Sequence, residues 1–265
     1  MSKRLIFTID VEDWFHSENI APFIGTHNIT NHTSMYILDA LLDYLAAGDI
    51  KGTFFFLGVI AEAYPGIVKK VGHAGHEVAS HGWDHTLINK MNELELKKDL
   101  VKTTLILEDL LGEKIVGYRS PCFSHSEYLV NSLIDLGYLY TSMGIESSFH
   151  DRYRHNSLEP SSIKDFALPV AKIHKFRIPA TGGGWFRVFP HFLQKYLVDL
   201  ADMDTSVFYC HPIDFDSSLP SLDYVPFTKR IRQKININKS FQKLDKLEFS
   251  KFTLRDHLTI PKHSG

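Results

Sequence analysis

Cysteine is almost missing from this chain. Cys122 and Cys210 are the only two in 265 residues, too few for a disulfide framework and in keeping with a reducing compartment. Long apolar runs are missing too, since none reaches the roughly 18 residues that a bilayer-spanning helix needs. Neither sign of charge dominates. A net charge of −2 gives no reason in the overall balance to invoke nucleic acid or an anionic membrane. Repeats, low-complexity tracts and linker-like stretches are absent, so nothing splits the chain into two domains. The apolar run Leu5–Ile9 is too short for the core of a signal peptide, and Asp10, Glu12 and Asp13 break the apolar character directly after it. The expectation is a cytoplasmic protein.

What is present is an alternation. Leu5–Ile9 reads as a first buried strand, rich in β-branched and aromatic residues. Thr33–Ala46 has helical spacing in Ile37, Leu38, Leu41, Leu42 and Leu45. Lys51–Gly58 is a second strand, Ala61–Ala74 a helix with Pro65 near its start, and Gly75–His81 leads into a third strand. A long amphipathic helix comes next at Asn92–Leu111, then Ile115–Tyr118, a helix at Glu127–Leu136 and a short strand at Tyr138–Met143. Residues 144–168, with His150, Arg152, Arg154 and His155, read as a loop insertion. Ile173–Ile178 reads as one strand, Pro190–Asp202 as a helix, and Ser206–Cys210 as the last buried strand. This order predicts a parallel sheet with right-handed crossovers. Residues 224–265 turn basic and form a helical extension. Its cations read first as a solvated helix face, with an anion-binding patch as the alternative.

Chemistry-bearing residues gather where strands end, which is where parallel α/β folds place their sites. Asp10-Val11-Glu12-Asp13 closes the first strand, and carboxylates there are costly without partners or work. His81 and His85 stand four apart after the third, a spacing that places two imidazoles around one divalent ion if they share a turn. Alone, such a pair in a chain with fifteen histidines is weak. Tyr118-Arg119-Ser120-Pro121 and Phe208-Tyr209-Cys210-His211-Pro212 end two further strands, and a Gly182-Gly183-Gly184-Trp185 turn lies between them. Trp14, Trp83 and Trp185 all flank these stretches.

With Phe7-Thr8-Ile9-Asp10, Thr53-Phe54-Phe55 and Gly75-His76-Glu77-Val78-Ala79-Ser80-His81-Gly82, these phrases resemble the polysaccharide deacetylase superfamily, carbohydrate esterase family four. They stand in the family's order along nearly the whole chain. The resemblance implies an α/β fold, a distorted (β/α) barrel, here of seven strands in a single catalytic domain. It implies a de-N-acetylase dependent on a divalent metal: zinc, with cobalt, nickel or manganese as alternatives. His81 and His85 match the family's histidine ligands, and Asp10 its general base. His211 matches the acid that protonates the leaving amine, and Arg119 orders the base. Ser120, Pro121, Cys122 and Phe123 would line the substrate site, with Trp14, Gly184 and Trp185 seating the sugar.

One departure stands out. Many members carry adjacent aspartates where this chain reads Asp-Val-Glu-Asp, so the acidic ligand is Glu12 or Asp13. Glu12 is favoured if the strand continues, because residues two apart share a face; Asp13 is favoured if it breaks at Val11. The acid that would orient His211 is not fixed by any motif, and Asp214 is one candidate. The implied partner is an N-acetylated sugar that is nucleotide-, lipid- or oligosaccharide-linked; an oligomer stays open. Two other readings stand beside this one: hydrolysis of another linear amide, cyclic imide or ureide, and a degenerate carbohydrate-binding scaffold.

Overall fold

The computed structural model describes residues 4–24, 33–145, 163–201 and 206–259. Among the described residues, nine strands fall into two sheets. These are β1 (Leu5–Val11), β2 (Gly52–Phe56), β3 (Glu77–Ser80), β4 (Gly117–Tyr118), β5 (Tyr140–Thr141), β6 (Lys164–Asp165), β7 (Val170–Ile173), β8 (Phe176–Pro179) and β9 (Ser206–Cys210). Seven of them pair in the order β6-β5-β4-β3-β2-β1-β9, every pair parallel. The order does not close on itself, so the sheet is a half-barrel, the distorted barrel expected. All seven residues of β1 and all five of β2 are buried. That is why these strands read as continuous apolar runs rather than alternating ones.

The helices pack outside the sheet through apolar stripes. Ile37–Ala47 buries Ile37, Leu38, Leu41, Leu42 and Leu45, and Glu93–Leu111 buries Leu96, Leu100 and Leu107. The latter starts sharply because Asn92 and Glu95 exchange capping hydrogen bonds of 3.0 and 2.9 Å.

The sequence misjudged three local features. The helix foreseen over Ala61–Ala74 is two, Gly58–Ala63 and Pro65–His73, because proline disfavours helical geometry at Tyr64 and cannot donate a helical hydrogen bond. The single strand foreseen at Ile173–Ile178 is an antiparallel hairpin of β7 and β8, turning at His174 with φ 56°. Within the 144–168 stretch, Lys164–Asp165 are the edge strand β6. His150, Arg152, Arg154 and His155 lie outside the described residues.

A second, smaller apolar cluster sits apart from the main core. Trp14 and Ile20 pack there with Ile213, Leu219, Leu222, Val225 and Ile237. It fastens the loop after β1 to the segment after β9, and the site lies beside that seam.

Candidate metal and catalytic site

The parallel register sets the site. Asp10 lies near the end of β1, opposite Phe55 of β2, while His81, Arg119 and His211 each come directly after β3, β4 and β9. One cavity is lined by Asp10, Glu12, His81, His85 and His211, with Cys122, Phe123 and Gly184 on its wall.

Glu12, His81 and His85 form a buried group whose donor atoms all lie within 4.8 Å of one another. β1 ends at Val11, the circumstance expected to favour Asp13, yet Glu12 is the acid delivered. A tight turn from the Glu12 N–H to the Asp10 carbonyl, 3.0 Å, brings it round. Asp13 is committed elsewhere. Its carboxylate caps the 3₁₀ helix Trp14–His16, accepting from the backbone of Trp14 and Ser34 at 2.9 Å each and from the Thr33 hydroxyl. The histidines do not sit on a helical turn, as their spacing suggested, but on an irregular loop. Gly82 and His85 both take left-handed backbone there, φ 79° and 68°, a conformation that costs a non-glycine residue energy and marks a constrained segment. A Cβ at Gly82 would also press on Asp99, 3.2 Å away.

The donor set suits a divalent ion. The Nδ1–H of His81 donates to the Arg119 carbonyl at 2.8 Å, which leaves the Nε2 lone pair as its ligand atom. Burial, with Asp10 opposing, pushes the His81 pKa down to about 4, so the ring is neutral as a ligand must be. Glu12 Oε2 lies 2.8 Å from His85 Nε2, an ion-pair contact inside the buried group. Burial works to raise the Glu12 pKa, but the charge and hydrogen bond of His85, with the charges of His211 and His81, outweigh it and hold the group well below the usual carboxylate range. His85 is pushed the other way: burial opposes its charged form, and Glu12 restores it.

Beside this group, Asp10 is held by Arg119 Nη1 at 2.6 Å. Arg119 is fully buried and spends its other donors on the Ser142 carbonyl and hydroxyl, at 3.0 and 2.8 Å. Its guanidinium lies over the Phe55 ring at 4.1 Å. His211 faces both acids, its Nε2 3.8 Å from Asp10 Oδ2 and 3.8 Å from Glu12 Oε1. Its Nδ1 meets Asp214 Oδ2 at 2.9 Å, and Arg187 Nε donates to the other oxygen of Asp214 at 2.8 Å. Burial disfavours a charged His211, but Asp214 first and then Glu12 and Asp10 override it, pushing the pKa up to about 9.

Several residues assigned to sugar contact fall elsewhere. Trp14 is 1% exposed inside the second apolar cluster, with no face left for a pyranose. Ser120 and Pro121 are buried, and the Ser120 hydroxyl points at the Met143 sulfur, 3.6 Å away. Trp185 stacks on Phe189 at 5.2 Å and does not line the cavity. In the glycine turn, Gly182 is fixed by packing, since a Cβ there would fall 2.0 Å from the Tyr209 ring, while Gly184 stays on the cavity wall. Sequence reasoning missed Arg187 and Gln233. Arg187 stood in view within Gly184-Trp185-Phe186-Arg187, but nothing local tied it to Asp214.

Residues 32–141 match the family model for polysaccharide deacetylases, and residues 140–259 a model described as a domain of unknown function, DUF3473. A peptidoglycan-N-acetylglucosamine deacetylase of Bacillus cereus is 38% identical over 93 residues, 35% of this chain and 33% of that protein. The matched stretch thus spans a third of that relative's length. Among solved structures, a Mycobacterium smegmatis protein assigned as a polysaccharide deacetylase superposes with a TM-score of 0.56 at 20% identity, covering 98% of this chain and 95% of that one. A family 4 acetyl xylan esterase of Clostridium thermocellum, solved with a cobalt ion, gives a TM-score of 0.52 at 16% identity, covering 97% and 91%. At these identities the two structures speak to the fold alone.

Proposed function

We propose that this chain, a member of the polysaccharide deacetylase family through its residues 32–141, is a metal-dependent hydrolase that removes the acetyl group from an N-acetylated amino sugar. One observation carries the reading: Asp10, the Glu12–His81–His85 group and His211 converge on a single cavity. An amide hydrolase needs a base, an electrophile-binding centre and an acid within reach of one bond.

Glu12, His81 and His85 would hold the ion, zinc by the chemistry of two imidazoles and a carboxylate. When bound, it supplies Lewis acidity toward the acetyl carbonyl and toward water. Asp10 takes the proton of the attacking water, and Arg119 fixes the carboxylate in place for that transfer. His211 gives its proton to the departing nitrogen, so water and amide become acetate and a free amine. Asp214 and Arg187 keep the His211 ring turned with Nε2 toward the cavity.

The substrate we favour is a nucleotide- or lipid-linked precursor of a surface polysaccharide. The test pairs metal analysis of the purified protein with acetate release from UDP-linked, lipid-linked and oligomeric N-acetylglucosamine. One divalent ion per chain and release from at least one sugar are expected. A full panel without acetate, on metal-loaded protein, would overturn the activity.

A further inference from the structure

The helix Phe227–Lys234 turns its apolar residues outward. Phe227 is 67% exposed and Ile231 48%, one helical turn apart, while Gln233 is buried on the opposite side. Gln233 lines the cavity and donates to the Ser17 hydroxyl at 3.2 Å. The C-terminal end of the helix is fastened by Arg187 Nη1, which donates to the Gln233 and Ile235 carbonyls at 2.8 and 3.0 Å. Residues 227, 230, 231 and 234 share one face by helical spacing, so Arg230 and Lys234 flank the two apolar side chains. The eight residues hold Lys229, Arg230, Arg232 and Lys234 and no acid, in a chain whose net charge is −2. Arg230 pairs with the neighbouring Asp223 at 2.7 Å and lies 5.8 Å from the Phe227 ring. Lys229 Nζ sits 4.7 Å over the ring of Phe23.

We propose that this outward face docks the protein on an anionic lipid bilayer. A short helix with exposed phenylalanine and isoleucine among cations fits the boundary between headgroups and acyl chains, where apolar burial and attraction to anionic lipid add. The alternatives use only half of the surface. An anionic glycan would meet the cations and leave Phe227 and Ile231 in water. A second copy related by a two-fold axis would bring the same cations against each other. Docking of this face does not depend on the proposed activity. If both hold, the cavity wall at Gln233 lies about one helix diameter, roughly 10 Å, from the headgroups, where a lipid-linked sugar is presented.

The test is co-sedimentation of the full chain with phosphatidylcholine vesicles, with and without phosphatidylglycerol. Binding is expected only with the anionic lipid and should weaken as salt rises. R230Q/K234Q should bind about 30-fold more weakly, the scale of two interfacial cations. F227S/I231S, which leaves the charge intact, should lose about tenfold or more. Circular dichroism confirms that each variant folds, and the two pairs fail independently if one does not. No binding to anionic vesicles, or binding untouched by both pairs, overturns the proposal. So does concentration-dependent dimerisation that F227S/I231S abolishes, which would give the face to a second copy.

Discussion

Two buried glutamates sit at opposite ends of the same sheet and have opposite fates. Glu77 opens β3 at the N-terminal end, 4% exposed, and Glu12 comes just after β1 at the C-terminal end, 5% exposed. The oxygens of Glu77 are fully engaged: Tyr140 donates to Oε1 at 2.8 Å, and Thr53 and the Arg255 backbone donate to Oε2 at 2.8 and 2.9 Å. Burial still pushes its pKa up. Glu12 has three histidines around it, with His85 Nε2 2.8 Å from its Oε2, and a pKa driven down. The structural carboxylate of Glu77 is satisfied by hydroxyl and backbone donors, with the Arg255 guanidinium 3.6 Å from Oε1. The one able to hold an ion is ringed by imidazoles instead, and that choice of neighbours separates the two ends.

Exchanging each acid for its amide should break the comparison apart. Glu12→Gln is expected to abolish acetate release and to weaken metal binding by more than the 10- to 100-fold that losing an outer-shell contact costs, with little change in melting temperature of the metal-free protein. Glu77→Gln sets an amide N–H₂ against donors that need an acceptor, at about 1–3 kcal/mol, or roughly 2–4 °C of melting temperature per kcal/mol at this size. Metal stoichiometry should stay intact. Metal analysis and thermal unfolding on both variants check this; metal retained by Glu12→Gln and lost by Glu77→Gln would invert the assignment.

The next effect is smaller and stays at the site end. Asp10→Asn should keep the metal but slow turnover by roughly 10²- to 10⁴-fold, the scale of a lost general base. Single-turnover acetate release on the metal-loaded variant measures it. Turnover above half of wild type would move the base elsewhere.

How much of this was legible depends on how far apart partners stand in the chain. The buried strands were visible because a parallel sheet covered on both faces writes itself as apolar runs, as in Leu5–Ile9 and Thr53–Phe56. The His81/His85 pair showed in its motif, though not the irregular loop that presents it. The choice between Glu12 and Asp13 could not be read, because Asp13 is decided by Thr33 and Ser34, some twenty residues on. Arg187 depends on Asp214 across 27 positions. Trp14 misled for a related reason: most of the buried residues it packs with, from Ile213 to Ile237, lie some two hundred positions on, and they draw its ring away from the cavity. The hairpin at β7–β8 escaped notice since its turn, His174-Lys175, contains neither glycine nor asparagine.

The smallest expected effect separates the two ends by pH. As the acid, His211 must carry its proton, so turnover should hold below the His211 pKa, about 9, and fall as pH rises through it. The sign comes from the neighbours. Burial favours the neutral ring, and Asp214 is the largest of the groups that hold the proton on. Asp214→Asn removes that support, lowers the His211 pKa, and should shift the alkaline fall toward neutral pH while the acid side stays in place. Arg187 is then left without its carboxylate, so the variant also loses stability, which thermal unfolding reads separately. Leaving-group dependence probes the same proton from the other side. Cleavage of an activated aryl acetate, whose leaving group departs without a proton, should show no alkaline fall assignable to His211. Should the amide and the activated ester share one alkaline limb, and should Asp214→Asn leave it unmoved, His211 only lines the cavity and the proton comes from another group.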